Sequence, residues 1–301
     1  MKNYTVLYNA LSNNGNSKEG LKTLETLFPD AKLTYQDITK IKDYKEFFGK
    51  LAEGERVIIY GGDGTLNHFV NDIQGVDINC QIYCCAAGTG NDFLRDIDIK
   101  PGDKPVLINP YIEKLPKVTV NGNDYKFING VGYGIDGYCC EVGDELRAKS
   151  VKKINYTSIA IKGLLFHYKP TNAKITVDGV VHEYKKAWLA PTMNGRFYGG
   201  GMMAAPNQNR LNKDGTLSVM IFYGKGRLRT LMAFPSIFKG EHIKHTNMVE
   251  VLVGKDITVE FDSPAALQID GETIKGVTKY RATASSLKSG KKEKTAATAT
   301  T

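Results

Sequence analysis

The chain has 301 residues, 42% apolar and 24% charged, with a formal net charge of +8. Its length suits two domains and its balance of residue types is ordinary for a globular protein, which excludes a fibrous or wholly disordered chain. No apolar run reaches the roughly 18–20 residues of a membrane-spanning helix, and the N-terminal apolar stretch is too short for a secretory signal, so a cytoplasmic protein is expected.

Residues 4–8 read as a strand, followed by an Asn/Gly/Ser-rich turn through Asn16 and a helix with Leu21, Leu24, Leu27 and Phe28 on one face. A second strand over 31–38 and a second helix over 43–51 follow. Residues 56–60 and 78–85 have the continuous apolar character of strands buried on both faces. The alternation predicts an open parallel α/β sheet that binds ligands at the carboxyl ends of its strands. From about Leu115 the texture changes to short β-rich runs separated by Asn121-Gly122, Asp178-Gly179, Asp214-Gly215 and Asp270-Gly271, the signal for antiparallel hairpins. One helical stretch over 151–168 interrupts them.

The predicted architecture is therefore an α/β nucleotide domain over 1–114 and a mostly antiparallel β-sandwich domain over 115–272, with the cleft between them. Residues 273–283 are candidates for returning to the first domain, and 284–301 read as a disordered tail, without periodicity. Cys80, Cys84, Cys85, Cys139 and Cys140 form neither C-x-x-C nor a zinc spacing and read as small hydrophobes. The basic surplus, part of it at Lys288, Lys291, Lys292 and Lys294, suits phosphates, anionic headgroups or nucleic acid. No aromatic-interleaved basic stripe supports nucleic acid.

The chemistry is concentrated at strand ends. Gly61-Gly62-Asp63-Gly64-Thr65-Leu66-Asn67 follows a buried strand and opens a helix with Leu66, Phe69, Val70 and Ile73 on one face. Glycines allow close backbone approach, the helix start favours a phosphate, and Asp63 can reach a metal or an attacking hydroxyl. The run is neither a Walker loop nor G-x-G-x-x-G. One β–α unit later, Gly88-Thr89-Gly90-Asn91-Asp92-Phe93 adds a hydroxyl and a second carboxylate, and the turn after the first strand adds Asn9 and Ser12. A tight turn with Asp63 as helix cap is the plain alternative for the first motif alone.

Together with the late Gln268-Ile269-Asp270-Gly271-Glu272, these runs resemble the diacylglycerol-kinase catalytic family, which includes bacterial lipid kinases and sphingosine kinases, over about residues 2–273. The resemblance implies a magnesium- and ATP-dependent lipid kinase. Asn9, Ser12, Thr39, Gly61, Gly62, Asp63, Gly64, Thr65, Leu66, Asn67, Gly88, Thr89, Asn91 and Asp92 would then hold the nucleotide. It implies that Asp63 and Asp92 hold the catalytic Mg²⁺, that Glu272 is the general base, and that Leu211, Asp214 and Thr216 hold a structural Mg²⁺. Without the resemblance, Asp270-Gly271 and Asp214-Gly215 are hairpin turns. It also implies a lipid substrate at the inner membrane surface and leaves a homodimer open. The chain departs from the family pattern at Ala10, Asn13, His68, Ala86 and Thr119, the last standing where some bacterial members carry an Asp. A lone helical histidine such as His68 reads as a surface or packing residue. Two rival readings stay open: an NAD-kinase-like enzyme, which shares the first motif, and a nucleotide- or lipid-binding regulator without turnover.

Overall fold

A computed structural model describes residues 2–10, 17–87, 90–149, 151 and 154–285 of the chain. Strands β1 (Lys2–Tyr8), β2 (Ala31–Asp37), β3 (Arg56–Gly61) and β4 (Ile82–Ala86) are parallel. The short β5 (Val106–Leu107) closes the sheet antiparallel to β4, in the order β2-β1-β3-β4-β5. Helices α1 (Ser17–Leu27), α2 (Tyr44–Gly49), α3 (Asp63–Asp72), α4 (Asp92–Asp96) and α5 (Asn109–Ile112) connect them. The apolar run 57–59 explains the layering. Ile58 packs with Leu21 and Leu24 of α1 on one face, while Val57 and Ile59 pack with Phe47 of α2 and Leu66, Phe69 and Val70 of α3 on the other. Each such buried side chain contributes about 1.5–3 kcal/mol. Strand order reverses at β1, so the crevice lies beyond the carboxyl ends of β1 and β3.

The second unit is antiparallel throughout. Its strands are β6 (Lys117–Val120), β7 (Asn123–Lys126), β8 (Gly130–Tyr133), β9 (Thr171–Val177), β10 (Val180–Ala187), β11 (Thr192–Met193), β12 (Leu217–Phe222), β13 (Val249–Gly254), β14 (Asp256–Ile269) and β15 (Glu272–Thr283). They run β13-β12-β11-β8-β14-β15-β6-β7, with β9 joined to the first half of β14 and β10 to β9. A register shift between Glu260 and Ala265 lets the 14-residue β14 pair with β9 in its first half and β8 in its second. Tyr133 stacks on Phe261 within this core, with ring centroids 4.1 Å apart.

Three of the four expected hairpins form two-residue turns with positive φ at both positions: Asn121-Gly122, Asp178-Gly179 and Asp270-Gly271. Asp214-Gly215 differs. It is a turn leading into β12, and only Gly215 has positive φ. Residues 273–283 do not return to the first sheet; β15 pairs with β14 and β6, where its Val277, Tyr280 and Ala282 enter the β core. The expected helix over 151–168 is shorter, α7 (Tyr156–Lys162), and continues into a π turn at Gly163–His167.

The longest helix among the described residues, α6 (Ile135–Ala148), lies in the region that reads as β-rich. Gly137 and Gly143 lower its helix propensity, but both are demanded by packing. A Cβ on Gly137 would fall 1.9 Å from the Ala266 carbonyl oxygen, and one on Gly143 would meet the Tyr156 ring at 2.8 Å. The remaining helix, α8 (Arg227–Ala233), runs into 3₁₀ turns at Phe234–Lys239 and Glu241–Lys244. Ser12, Gly88, Thr89 and the tail beyond Ser285 lie outside the described residues.

Candidate active site

The β3–α3 turn is shaped by Gly61, where a Cβ would lie 2.5 Å from Thr65 Cβ. Any larger residue would push the strand end off the first turn of α3. Gly62 is the N-cap and has no side chain to occupy the helix's opening N–H groups; Asp63 N donates to Gly90 O at 3.2 Å, which leaves those of Gly64 and Thr65 to a ligand. Asp63, the first helical residue, turns its carboxylate toward α4 instead of capping its own helix. Its Oδ2 accepts from Asp92 N at 2.8 Å, and its Oδ1 accepts from Phe93 N at 3.0 Å and Asn129 Nδ2 at 3.1 Å. Adjacent parallel strands thus bring both glycine-containing loops together.

Asp92 is 3% exposed. Its Oδ2 accepts from Gly200 N at 2.7 Å, whereas its Oδ1 has no hydrogen-bond partner and the nearest cation, Arg95 Nη1, is 3.6 Å away. Burial, and then the charge of Asp63, raises its pKa to about 6. A buried carboxylate oxygen with no hydrogen bond is costly unless a cation meets it. The Asp63–Asp92 pair therefore fits a divalent cation.

Asp270 and Glu272 divide the labour of the late motif. Asp270, in the left-handed conformation at φ 47°, is half-buried and accepts four bonds. Asn67 Nδ2 at 2.8 Å and Ile128 N at 2.6 Å reach Oδ2, while Asn129 N at 2.9 Å and Gly130 N at 3.0 Å reach Oδ1. Burial raises its pKa and these four donors pull it back. It staples α3 of the first domain to the segment entering β8 of the second. Glu272 is exposed, and its Oε1 stands 3.3 Å from His68 Nε2. His68 therefore faces the acid across the cleft, a contact its position on a helix gave no sign of.

A second link closes the same edge. Asp96 of α4 binds both Arg196 (Nε at 2.7 Å) and the buried Arg210, whose Nη2 donates to Asn129 Oδ1 at 3.2 Å. Asn129 thus relays the position of Arg210 to Asp63, a role that no local pattern reveals.

These residues surround one cavity of about 820 Å³, lined by Asn9, Gly62, Asp63, Gly64, Thr65 and His68 from the first domain and by Asp270, Gly271 and Glu272 from the second. Asp92 and Asn129 complete its polar end. The rest of the lining is mixed: Ile135, Ala160, Leu189, Met202, Phe234 and Phe238 supply apolar surface, with Asp136, Asp144 and Arg147 of α6 among them. At the first residues of α6 stands Asp136, whose Oδ2 is buried without a hydrogen bond. Burial pushes its pKa up to about 6, and the Tyr198 hydroxyl beside it also lacks a well-formed bond. Sequence reasoning passed over Asp136; its only signal is a carboxylate inside the apolar surroundings Ile135, Tyr138 and Cys139.

Other expected site residues fall elsewhere. Thr39 donates from N and Oγ1 to Asp37 Oδ1, at 3.1 and 2.8 Å, and does not line the cavity. Leu66 belongs to the hydrophobic core, Asn67 is committed to Asp270, and Asn91 stands immediately before α4. Thr119 donates to Asp124 Oδ1 at 2.6 Å on the neighbouring strand. In the 209–216 loop the Thr216 carbonyl accepts from Asn212 Nδ2 and Gln208 Nε2, both at 2.9 Å. Both its lone pairs are occupied, so Leu211, Asp214 and Thr216 as folded do not fit a magnesium site, and the loop is closed by side-chain amides.

Residues 3–118 match the diacylglycerol kinase catalytic domain, and residues 129–285 match the YegS C-terminal NAD kinase beta sandwich-like domain. The chain is 28% identical over 276 residues to "Putative lipid kinase YtlR" of Bacillus subtilis (strain 168), covering 83% of this chain and 82% of the relative. It is 27% identical over 223 residues to a diacylglycerol kinase of Mycobacterium tuberculosis (strain ATCC 25618 / H37Rv), covering 71% and 69%. Among solved structures, one named a putative diacylglycerol kinase from Bacillus anthracis str. Sterne superposes with a TM-score of 0.65 at 21% identity, over 94% of this chain and 92% of that one. At that identity the superposition speaks for the fold.

Proposed function

Because the chain belongs to the family that joins a diacylglycerol kinase catalytic domain to a YegS C-terminal NAD kinase beta sandwich-like domain, we propose that it transfers the γ-phosphoryl group of ATP to a hydroxyl of a diacylglycerol-like lipid. The observation that carries this reading is the polarity of the cavity. Its lining joins the carboxylates and glycine turn of the first domain to apolar side chains of one hydrophobic cluster, Ile135, Ala160, Leu189, Met202 and Phe234. A nucleotide triphosphate suits the first and an acyl chain the second. A dinucleotide acceptor would leave the apolar wall without a partner, which disfavours the NAD-kinase-like alternative.

In this reading the glycine turn and the first N–H groups of α3 receive the phosphates. Asp63 and Asp92 hold Mg²⁺, which supplies charge neutralisation when bound. Glu272 takes the proton of the acceptor hydroxyl as its oxygen bonds to the γ-phosphorus. The bond from that phosphorus to the bridging oxygen breaks, and ADP leaves with the electron pair. His68 holds Glu272 toward the cavity. Phosphoryl transfer needs positioning and electrostatics more than covalent chemistry, and these groups provide both.

The test is incubation with radiolabelled ATP and a total lipid extract, followed by lipid separation. A labelled lipid that disappears with Glu272→Gln is expected, the loss being about 10²–10⁴-fold for a general base. Transfer to no lipid by the wild-type protein, with nucleotide still bound, would favour the regulator without turnover.

A further inference from the structure

The two carboxylates that fit a divalent cation both belong to the first domain, yet each has one oxygen held by the second. Asn129, just before β8, donates from Nδ2 to Asp63 Oδ1 at 3.1 Å, and Gly200 N donates to Asp92 Oδ2 at 2.7 Å. Gly200 is the middle residue of a turn closed by reciprocal backbone bonds between Tyr198 and Met202, both 3.0 Å long. Gly199, Gly200 and Gly201 all have positive φ, and a Cβ on Gly201 would fall 2.1 Å from Arg95 Nη1. Glycines therefore let this turn reach α4.

Both arms lead back to Asp96. It follows Asp92 by four residues, hence on the same side of α4, and its side chain is 4% exposed. Its Oδ2 accepts from Arg210 Nε, and its Oδ1 from Arg196 N at 3.1 Å and Arg196 Nε at 2.7 Å. Arg210 continues to Asn129 Oδ1 at 3.2 Å. A guanidinium can only donate, so the amide oxygen of Asn129 must face Arg210, and its nitrogen is thereby turned to Asp63. The Arg210 guanidinium also lies 4.8 Å from the ring centroid of Phe93, the residue whose N–H is a further donor to Asp63. On the other arm, the Phe197 ring lies 5.5 Å from the Arg196 guanidinium and 5.8 Å from that of Arg95, and the glycine turn follows directly. Buried ion pairs contribute little net stability, because desolvation offsets most of their attraction. What this one fixes is direction.

We propose that Asp96 is a positioning residue for the cation seat: through Arg210 and Asn129 it orients Asp63, and through Arg196 and the glycine turn it orients Asp92. Divalent-cation binding in the first domain is thereby coupled to the docking of the second, and by linkage each favours the other. The proposal rests on the reading of Asp63 and Asp92 as the carboxylates that hold Mg²⁺. Loss of the groups that orient a metal's ligands lowers metal affinity by about 10–100-fold.

The test uses Mn²⁺ as a paramagnetic stand-in, its binding to the full-length protein with ADP followed by electron paramagnetic resonance. Calorimetric titration with ADP in EDTA gives the metal-free nucleotide affinity. Asp63→Asn should abolish Mn²⁺ uptake and so identify the signal with the seat. Asp96→Asn should weaken Mn²⁺ binding by about 10–100-fold while metal-free ADP binds as in wild type. Arg210→Lys, which keeps the charge but loses the fork, should do the same. Should Asp96→Asn fold poorly, Asn129→Ala removes the arm on Asp63 alone and should still cost Mn²⁺ affinity. Combined with Asp96→Asn, its effect should be less than additive, since both act through one contact. Asp98→Asn is the control: its 89% exposed carboxylate meets Arg196 only at 3.7 Å, and Mn²⁺ affinity should not change. Wild-type Mn²⁺ affinity in the Asp96, Arg210 and Asn129 variants overturns the proposal and leaves the seat standing. A parallel fall in metal-free ADP affinity overturns it too, because the cluster is then a general scaffold. A wild-type protein that takes up no Mn²⁺ removes the seat and the proposal together. The expected Mn²⁺ pattern without phosphorylation of any lipid upholds the proposal and sinks the kinase reading alone.

Discussion

Asp270→Asn replaces one carboxylate oxygen with an amide nitrogen and should unpick the staple between the domains. Each oxygen of Asp270 accepts two hydrogen bonds, Oδ2 from Asn67 and Ile128 and Oδ1 from Asn129 and Gly130. Whichever oxygen becomes an amide nitrogen then faces two donors, so two charge-assisted bonds are lost at about 1.5–3 kcal/mol each. Asparagine tolerates the left-handed backbone at this position, so no conformational penalty is added. Removing a half-buried charge returns part of the loss. The net destabilisation should be about 2–3 kcal/mol, or a Tm lower by roughly 3–5 °C for a chain of this size. Calorimetry on Asp270→Asn, Asn67→Ala and the double variant measures it, and the two substitutions should be clearly non-additive because they share one bond. Glu272→Gln, two residues away and exposed, should leave Tm unchanged while phosphoryl transfer collapses. An Asp270→Asn protein with wild-type Tm would refute the staple, and equal Tm losses at 270 and 272 would refute the division of roles.

Asp136, with its pKa raised by burial to about 6 against roughly 3.9 unfolded, costs the folded state stability as pH climbs through that window. The sign follows: the protonated form is the better-tolerated one, and what it contributes below pH 4 is lost above pH 6. Asp136→Asn should therefore be more stable than wild type, with an advantage that grows by about 1 kcal/mol between pH 5 and pH 8 in urea titrations; a pH-independent difference would count against it. Gly137→Ala, whose Cβ would strike the Ala266 carbonyl, should cost about 3 kcal/mol or more, whereas nothing lies within 4 Å of a Cβ on Gly64, and Gly64→Ala should stabilise by about 0.5–1 kcal/mol in chemical denaturation. Asn212→Ala should cost about 2–3 kcal/mol for the amide bonds that close its loop. Asp214→Asn should change Tm by less than about 1 °C with or without added magnesium, and a magnesium-dependent loss would show the loop to be held by metal.

Local pattern made most of the fold legible. The fully apolar 57–59 run can only be a strand covered on both faces, and Asn-Gly or Asp-Gly between apolar runs supplies the positive φ of a two-residue turn, as at 121–122, 178–179 and 270–271. The same local chemistry pointed to Asp63 and Asp92, because a glycine turn between a buried strand and a helix start is a phosphate seat wherever it occurs. Helix α6 escaped because propensity is a local quantity, while Gly137 and Gly143 answer to Ala266 and Tyr156 across the fold. The remaining parts of the site depend on residues brought together from distant parts of the chain: His68 against Glu272, Arg210 through Asn129 to Asp63, and Asp136 beside Tyr198. Such pairs leave no periodicity or spacing to read. Only the closing of the two sheets on one another decides which side chains meet, and therefore which carboxylate is a structural staple and which is left facing the cavity.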